Sequence, residues 1–142
     1  MKVRDAMAKT ISTAHPSSTV KEVAVMMQRE DCGFVPILRD DHLEGVVTDR
    51  DIVVRFCADG GGEANMLTTP IGEVMTAMPI SVHADSSLED AGHLMATNGV
   101  RRLPVLDGSR LVGVVSFGNL EQALHAHGEC AEEVTLGVTA GA

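Results

Sequence analysis

The sequence predicts an α/β protein made of one β-α-β-β-α unit written twice, the two copies packed about a pseudo-twofold axis through their sheets. Three observations carry this. Sliding the chain by 68 residues aligns Met7 with Met75, His15 with His83, Met27 with Met95 and Pro36 with Pro104 without a gap, and the register persists to Gly45-Val46-Val47 with Gly113-Val114-Val115. Each copy has apolar residues at helical spacing, and each then has two short apolar runs joined by turn residues. Self-similarity at one fixed offset marks a repeated supersecondary unit.

Each copy opens with a short extended piece, residues 10–14 and 80–83. A helix follows. Thr19-Val-Lys-Glu22 has the form of a capping box, in which the hydroxyl accepts from an early backbone N–H and the glutamate reaches back; Ser87-Leu-Glu-Asp90 repeats it loosely. Behind these caps Val20, Val23, Ala24 and Met27, and then Leu88, Ala91 and Met95, make one apolar face per helix. The runs 34–38 and 102–106 are turned by Arg39-Asp-Asp41 and Asp107-Gly-Ser109 into 43–47 and 111–115, which reads as a hairpin in each copy. Pro36 and Pro104 lack an N–H donor and belong on an edge or at a strand start. Second helices are expected from about 49 to 57 and 117 to 125. The glycine-rich stretch from Asp59 supplies a flexible link. The resulting division is 1–58 for the first repeat, 59–70 for the link, 71–125 for the second repeat and 126–142 for a tail. One such unit cannot cover its own sheet, so two copies packing together is the economical arrangement, with a ligand cleft between equivalent sheets.

Eleven basic against twenty acidic residues give a net charge of −9. That field repels nucleic acid and anionic membrane surfaces, so neither is an expected partner. An anionic small ligand would need local compensation from helix starts or placed arginines. No apolar run reaches the roughly 20 residues that span a bilayer, and the start of the chain lacks a basic patch followed by an apolar stretch. A cytoplasmic location is expected. Cys32, Cys57 and Cys130 are odd in number and share no short metal spacing, which fits a reducing compartment without a disulfide framework.

The most informative segment is Gly45-Val-Val-Thr-Asp-Arg-Asp51, where a buried strand runs directly into a helix. Two readings stand side by side. Thr48 and Asp51 form a second capping pair that satisfies orphan donors; or the hydroxyl and free amides at the helix start hold a phosphate while Asp51 accepts from ribose hydroxyls. The second copy has Ser116 and Asn119 at these positions. An amide keeps one acceptor without the charge, so its hydrogen bonds to a diol are weaker. The first site is therefore better equipped than the second.

Taken together, Gly45-x-x-Thr48-x-x-Asp51, Leu103-Pro-Val-Leu-Asp107 and Gly113-x-x-Ser116-x-x-Asn119 resemble tandem CBS domains, the pair called a Bateman module. The resemblance runs from Val3 to about Ala123. It implies a disc-shaped, often homodimeric regulatory module whose clefts bind adenosine-type ligands: AMP, ADP, ATP or S-adenosylmethionine. By position it assigns phosphate to Thr48 and ribose to Asp51. Thr10, Ile11 and Ser12 with Phe34, Val35 and Pro36 line the base pocket, Phe34 facing adenine. In the second copy Met78, Pro79 and Ile80, with Arg101, Arg102, Leu103 and Pro104, stand at matching places. Asn119 departs from the family's acidic residue.

Arg101 and Arg102 replace Gly33 and Phe34, and adjacent strand residues point to opposite faces, so two readings stand: one of the two meets phosphate, or both are solvated or pair with nearby carboxylates. His15 and His83 fit turn or surface roles. His125, His127 and Cys130 match no standard zinc spacing, and no metal is expected. The chain lacks an HExxH or Gly-x-Ser-x-Gly element and shows no nucleophile beside a base, so an enzyme is not expected. The alternative to ligand sensing is a ligand-free module for dimerisation and docking to an unidentified protein target. No cofactor is required by either reading.

Overall fold

The computed structural model describes residues 1–126. The tail from 127, including His127 and Cys130, lies outside the described residues. The chain is mixed α/β and divides into two compact units. One is contiguous, Ser12–Pro79; the other is composite, Met1–Ile11 together with the chain from Ile80. Sequence repeats and compact units cut the chain differently, because the first residues of each repeat belong to the unit that holds the rest of the other.

In the contiguous unit, Ala14 bridges in parallel to Ile37, and helix α2 then spans Val20–Glu30. Its start is the expected capping box: Glu22 N donates to Thr19 Oγ1 at 3.1 Å and Thr19 N donates to the Glu22 carboxylate at 3.0 Å. Val20 and Val23 are wholly buried. Strands β1 (Phe34–Arg39) and β2 (His42–Thr48) form an antiparallel hairpin. Its turn residues Asp40 and Asp41 have φ of 49° and 67°, a left-handed pair whose twist matches that of the strands; short polar side chains tolerate this region best after glycine.

Pro36 stands third in β1 rather than at its start. Its carbonyl accepts from Ala14 N at 3.1 Å, so its nitrogen faces the same sparsely paired side and no hydrogen bond to β2 is forfeited. The core of this unit gathers Val35, Ile37, Val47, Ile52, Phe56, Ile71 and Val74 around α2.

The helix after β2 departs from expectation. Asp49–Asp51 makes one short turn, α3, and Ile52–Cys57 continues as a π-helix, with Ala58 N donating to Val53 O at 2.9 Å and Gly61 N to Phe56 O at 2.8 Å. The wider turn brings Ile52 and Phe56 inward and leaves Val53 and Val54 exposed, at 60% and 53%. The expected flexible link carries a helix of its own, α4 (Glu63–Met66). A 3₁₀ turn at Ile71–Glu73 and strand β3 (Thr76–Ala77), which pairs with β2, then close the contiguous unit.

In the composite unit, helix α1 (Val3–Ala6) docks by Val3 N to Ser86 O at 2.8 Å and Arg4 N to Ala84 O at 2.9 Å. Strand β4 (Val82–His83) pairs in parallel with β5 (Arg102–Asp107), and β5 pairs antiparallel with β6 (Arg110–Ser116). Between β4 and β5 lies helix α5 (Leu88–Asn98), capped by Ser87 and ended by Gly99 at φ 64°. Helix α6 spans Phe117–Ala126. Val3, Leu88, Met95, Leu103, Val115 and Leu120 centre its core.

One packing device occurs in both units. A Cβ on Gly45 would stand 2.5 Å from Met75 Sδ and 2.7 Å from Thr76 O; on Gly113 it would stand 2.6 Å from Met7 Sδ and 2.7 Å from Ala8 O. Glycine is required because another strand and a methionine lie directly over its backbone.

Candidate functional site

Both units place the same local geometry where the hairpin's second strand meets the following helix. In the contiguous unit, Asp51 N donates to Thr48 Oγ1 at 3.1 Å and Thr48 N donates to Asp51 Oδ2 at 2.9 Å. In the composite unit, Asn119 N donates to Ser116 Oγ at 3.1 Å and Ser116 N donates to Asn119 Oδ1 at 2.9 Å. The capping function is therefore real in both copies, and aspartate and asparagine perform it with equal geometry. It does not exhaust either pair. The Thr48 hydroxyl accepts one bond and retains its proton to donate; Asp51 Oδ1 retains lone pairs, with Arg55 Nε at 3.8 Å. Asp51 is 17% exposed at its side chain, which leaves it accessible to a small ligand.

The strand beside each helix start is fixed by register. Phe34 pairs with Thr48, Val35 with Val47 and Pro36 with Val46; Arg102 pairs with Ser116, Leu103 with Val115 and Pro104 with Val114. Asp49 N donates to Gly33 O at 3.1 Å, and at the matching place Phe117 N donates to Arg101 O at 2.8 Å. Each unit thus brings its strand start and helix start together through the backbone.

Side chains separate the sequence assignments into groups. Val35 and Leu103 are core residues, 2% and 0% exposed, so a ligand can meet them only through their backbone groups. Phe34, expected to face a base, is buried. Ile11 and Ser12 are half-buried and Thr10 is exposed; Thr10 and Ile11 fall in the composite unit and Ser12 begins the contiguous one. Met78, at φ 47°, is 90% exposed, and Pro79 with it ends the contiguous unit, while the exposed Ile80 opens the second part of the composite unit.

The two helix starts differ in a way that single positions did not disclose. A Cβ on Gly33 would lie 2.8 Å from the Asp49 carboxylate, whereas the matched Arg101 lays its guanidinium 4.9 Å from the ring centre of Phe117, the residue matched to Asp49. A glycine–carboxylate pair in one unit is thus an arginine–aromatic pair in the other, held by cation–π attraction. Arg102 is exposed at the start of β5 and Arg101 is occupied by Phe117, which makes Arg102 the freer cation. Reading the repeat pairwise, Gly33 and Asp49 against Arg101 and Phe117, would have exposed the swap from sequence.

His15 and His83 serve turns, as expected. Ser17 N donates to His15 Nδ1 at 3.0 Å and Asp85 N donates to His83 Nδ1 at 3.1 Å. Among the described residues, no group of three or more His, Cys, Asp or Glu side chains is arranged to hold a metal ion.

Residues 3–57 and again 71–126 match the family model of the CBS domain. The chain belongs to the CBS-domain family. CBS domain-containing protein YhcV of Bacillus subtilis is 39% identical over 118 residues, which is 83% of this chain and 81% of that protein. Hypoxic response protein 1 of Mycobacterium tuberculosis is 33% identical over 125 residues, 87% of this chain and 85% of its own length. Solved CBS structures agree. The crystal structure of Hypoxic Response Protein I with two coordinated zinc ions superposes with a TM-score of 0.78 at 32% identity, over 86% of this chain and 98% of that one. That of CBSX2 in complex with AMP superposes with a TM-score of 0.77 at 26% identity, over 90% of this chain and 98% of that one. This chain carries tandem CBS domains.

Proposed function

We propose that this CBS protein is a regulatory, non-catalytic sensor of an adenosine-type ligand, AMP, ADP, ATP or S-adenosylmethionine, held at the helix starts that follow β2 and β6. The observation that carries the reading is the Thr48–Asp51 pair: it caps its own helix and leaves the hydroxyl proton and Asp51 Oδ1, which lies 3.8 Å from Arg55 Nε, outside the cap. A hydroxyl donor suits a phosphate oxygen, and a carboxylate acceptor suits a ribose diol. The structural likeness to CBSX2, solved with AMP, supports the same ligand class here. Ser116 and Asn119 repeat the shape without the charge, so the contiguous unit binds the ribose more tightly than the composite unit does. The sensor acts as a cytoplasmic homodimer on a protein target. Ligand shifts that target only through unequal affinity for two arrangements of the module.

Isothermal titration of the full chain with AMP, ADP, ATP and S-adenosylmethionine tests this. One of the four gives saturable heat with wild type and weaker binding with Asp51→Ala. Equal binding by both proteins removes Asp51 from the site, and no heat with any of the four removes the ligand class.

The ligand-free reading has one observation in its favour. In both units the polar pair already satisfies a complete capping pattern, so conservation of shape alone explains it. On that reading, the exposed Val53 and Val54 serve association with a second chain or a target.

A further inference from the structure

We propose that Arg55 is the positioning residue of the contiguous unit's site, tying the Asp51 carboxylate to the segment that leads into β3, so that ligand capture at Asp51 is felt by that segment. This rests on the adenosine reading above and adds to it how the site reports its occupancy. Asp51 divides its two oxygens: Oδ2 accepts from Thr48 N at 2.9 Å, and Oδ1 faces Arg55 Nε at 3.8 Å. That separation is an ion pair without a hydrogen bond, so Oδ1 keeps its lone pairs for a ribose hydroxyl. On its other side Arg55 has backbone partners, with Nη1 donating to Met75 O at 3.1 Å and, more weakly, to Val74 O at 3.5 Å. One planar guanidinium thus spans the proposed ribose acceptor and carbonyls that lie 19 and 20 residues further along the chain.

Those carbonyls belong to a strap, residues 71–77, matched in the repeat by the N-terminal strap 3–9 of the composite unit. Ile71 and Val74 are buried, the Met75 sulfur lies over Gly45, and Thr76–Ala77 pairs with β2 at Val46 and Gly45. Since β2 ends at Thr48, the strap meets the site by two routes, through the backbone of β2 and through Arg55. Backbone pairing is indifferent to the charge on Asp51, and the guanidinium is not. A ligand hydroxyl donating to Oδ1 spreads the carboxylate charge and weakens its hold on Nε, which leaves the guanidinium to the strap carbonyls.

The composite unit supplies the control. At the positions matched to Asp51 and Arg55 it has Asn119 and Ala123. Asn119 still accepts from Ser116 N at 2.9 Å, so the cap needs neither the carboxylate nor its arginine. Ala123 has no donor to offer the carbonyls of Ala6 and Met7, which match Val74 and Met75. A purely structural tie to the strap would need Arg55 without Asp51; the charged pair is instead present whole in one unit and absent whole in the other.

Two-dimensional NMR of the full chain, with calorimetric titration of the same samples, tests this on wild type, Asp51→Asn, Arg55→Met and the double variant. Arg55 is half exposed, so methionine is accommodated at its place. Without ligand, Asp51→Asn shifts the Arg55 Nε–H signal and the amide signals of Met75 and Thr76, whose peptide groups contain the Val74 and Met75 carbonyls. In the Arg55→Met background the same substitution leaves those amides unchanged. AMP, ADP, ATP and S-adenosylmethionine are then titrated in turn. A ligand that binds wild type shifts the same two amides and binds Arg55→Met about threefold more weakly, the scale of a half-exposed ion pair. Adding Arg55→Met to Asp51→Asn costs no further affinity, because the arginine acts through the carboxylate. Met75 and Thr76 amides that ignore Asp51→Asn, or equal weakening by Arg55→Met in both backgrounds, overturn the proposal and leave the adenosine reading intact. Binding of none of the four ligands to wild type overturns both.

Discussion

Replacing Asp51 by asparagine and by alanine separates its two roles. Alanine deprives Thr48 N of its 2.9 Å acceptor, which costs about 1 kcal/mol for a lost cap, and removes a negative charge from the helix start, worth about 0.5 kcal/mol. Asparagine loses only the charge, because Asn119 Oδ1 shows that an amide accepts the same bond at the same 2.9 Å. Destabilisation of about 1.5 against about 0.5 kcal/mol follows, or roughly 6 °C against 2 °C in Tm for a chain of this size. The proposed ribose contact responds differently. Exchanging a charge-assisted hydrogen bond for a neutral one costs about 1 kcal/mol, so Asp51→Asn binds AMP about fivefold more weakly while remaining nearly as stable as wild type. Thermal unfolding and calorimetric titration of the three proteins are sufficient. Equal Tm losses in both variants refute the capping argument, and unchanged AMP affinity in Asp51→Asn refutes the ribose assignment.

Gly45→Ala and Gly113→Ala should each cost about 1–3 kcal/mol in urea unfolding, since their new methyl groups meet a carbonyl oxygen at 2.7 Å, whereas Gly62→Ala, with nothing within 4 Å, should be close to neutral. Leu103→Ala, wholly buried, should cost about 2–5 kcal/mol in the same assay. A pH dependence is expected at the N-terminal strap. The hydrogen bond from Arg4 holds the Asp85 carboxyl below its ordinary range, and a carboxyl lowered in the folded state stabilises at pH above its unfolded pKa and loses that effect as pH falls through the folded value. The protection factors of the Val3 and Arg4 amides, taken against the intrinsic exchange rate at each pH, should therefore fall on acidification through and below the carboxylate range, and this fall should be smaller in Arg4→Met.

Much of the architecture was legible because it depends on local rules. Thr19 with Glu22 and the hairpins around Asp40 and Gly108 follow from short-range hydrogen bonding and turn chemistry, and the structure reproduces them; Ser87 caps α5 by accepting from Asp90 N, without the return bond of a full capping box. What depended on distant partners was not legible. Val3 and Ile71 are ordinary apolar residues in the sequence, and only the folded chain shows each one buried beside residues of the other repeat. The π-helical continuation through Val53 and Val54 changes hydrogen-bond partners without changing composition, and so escaped a reading based on periodicity. At the site, Thr48, Asp51, Ser116 and Asn119 were found as pairs because their spacing is local. The exchange of Gly33 and Asp49 for Arg101 and Phe117 is present in the repeat alignment, but the members of each pair lie sixteen positions apart and only the fold shows that they meet.

The central claim is that the tandem CBS module holds an adenosine-type ligand, preferentially through Thr48 and Asp51. Native mass spectrometry of the full chain, freshly purified and again after addition of AMP, ATP or S-adenosylmethionine, tests it most directly. The account predicts a retained or added adenosyl mass on the wild-type protein that is reduced in Asp51→Ala. Spectra showing the bare polypeptide mass under every condition, or equal occupancy of wild type and variant, would contradict it.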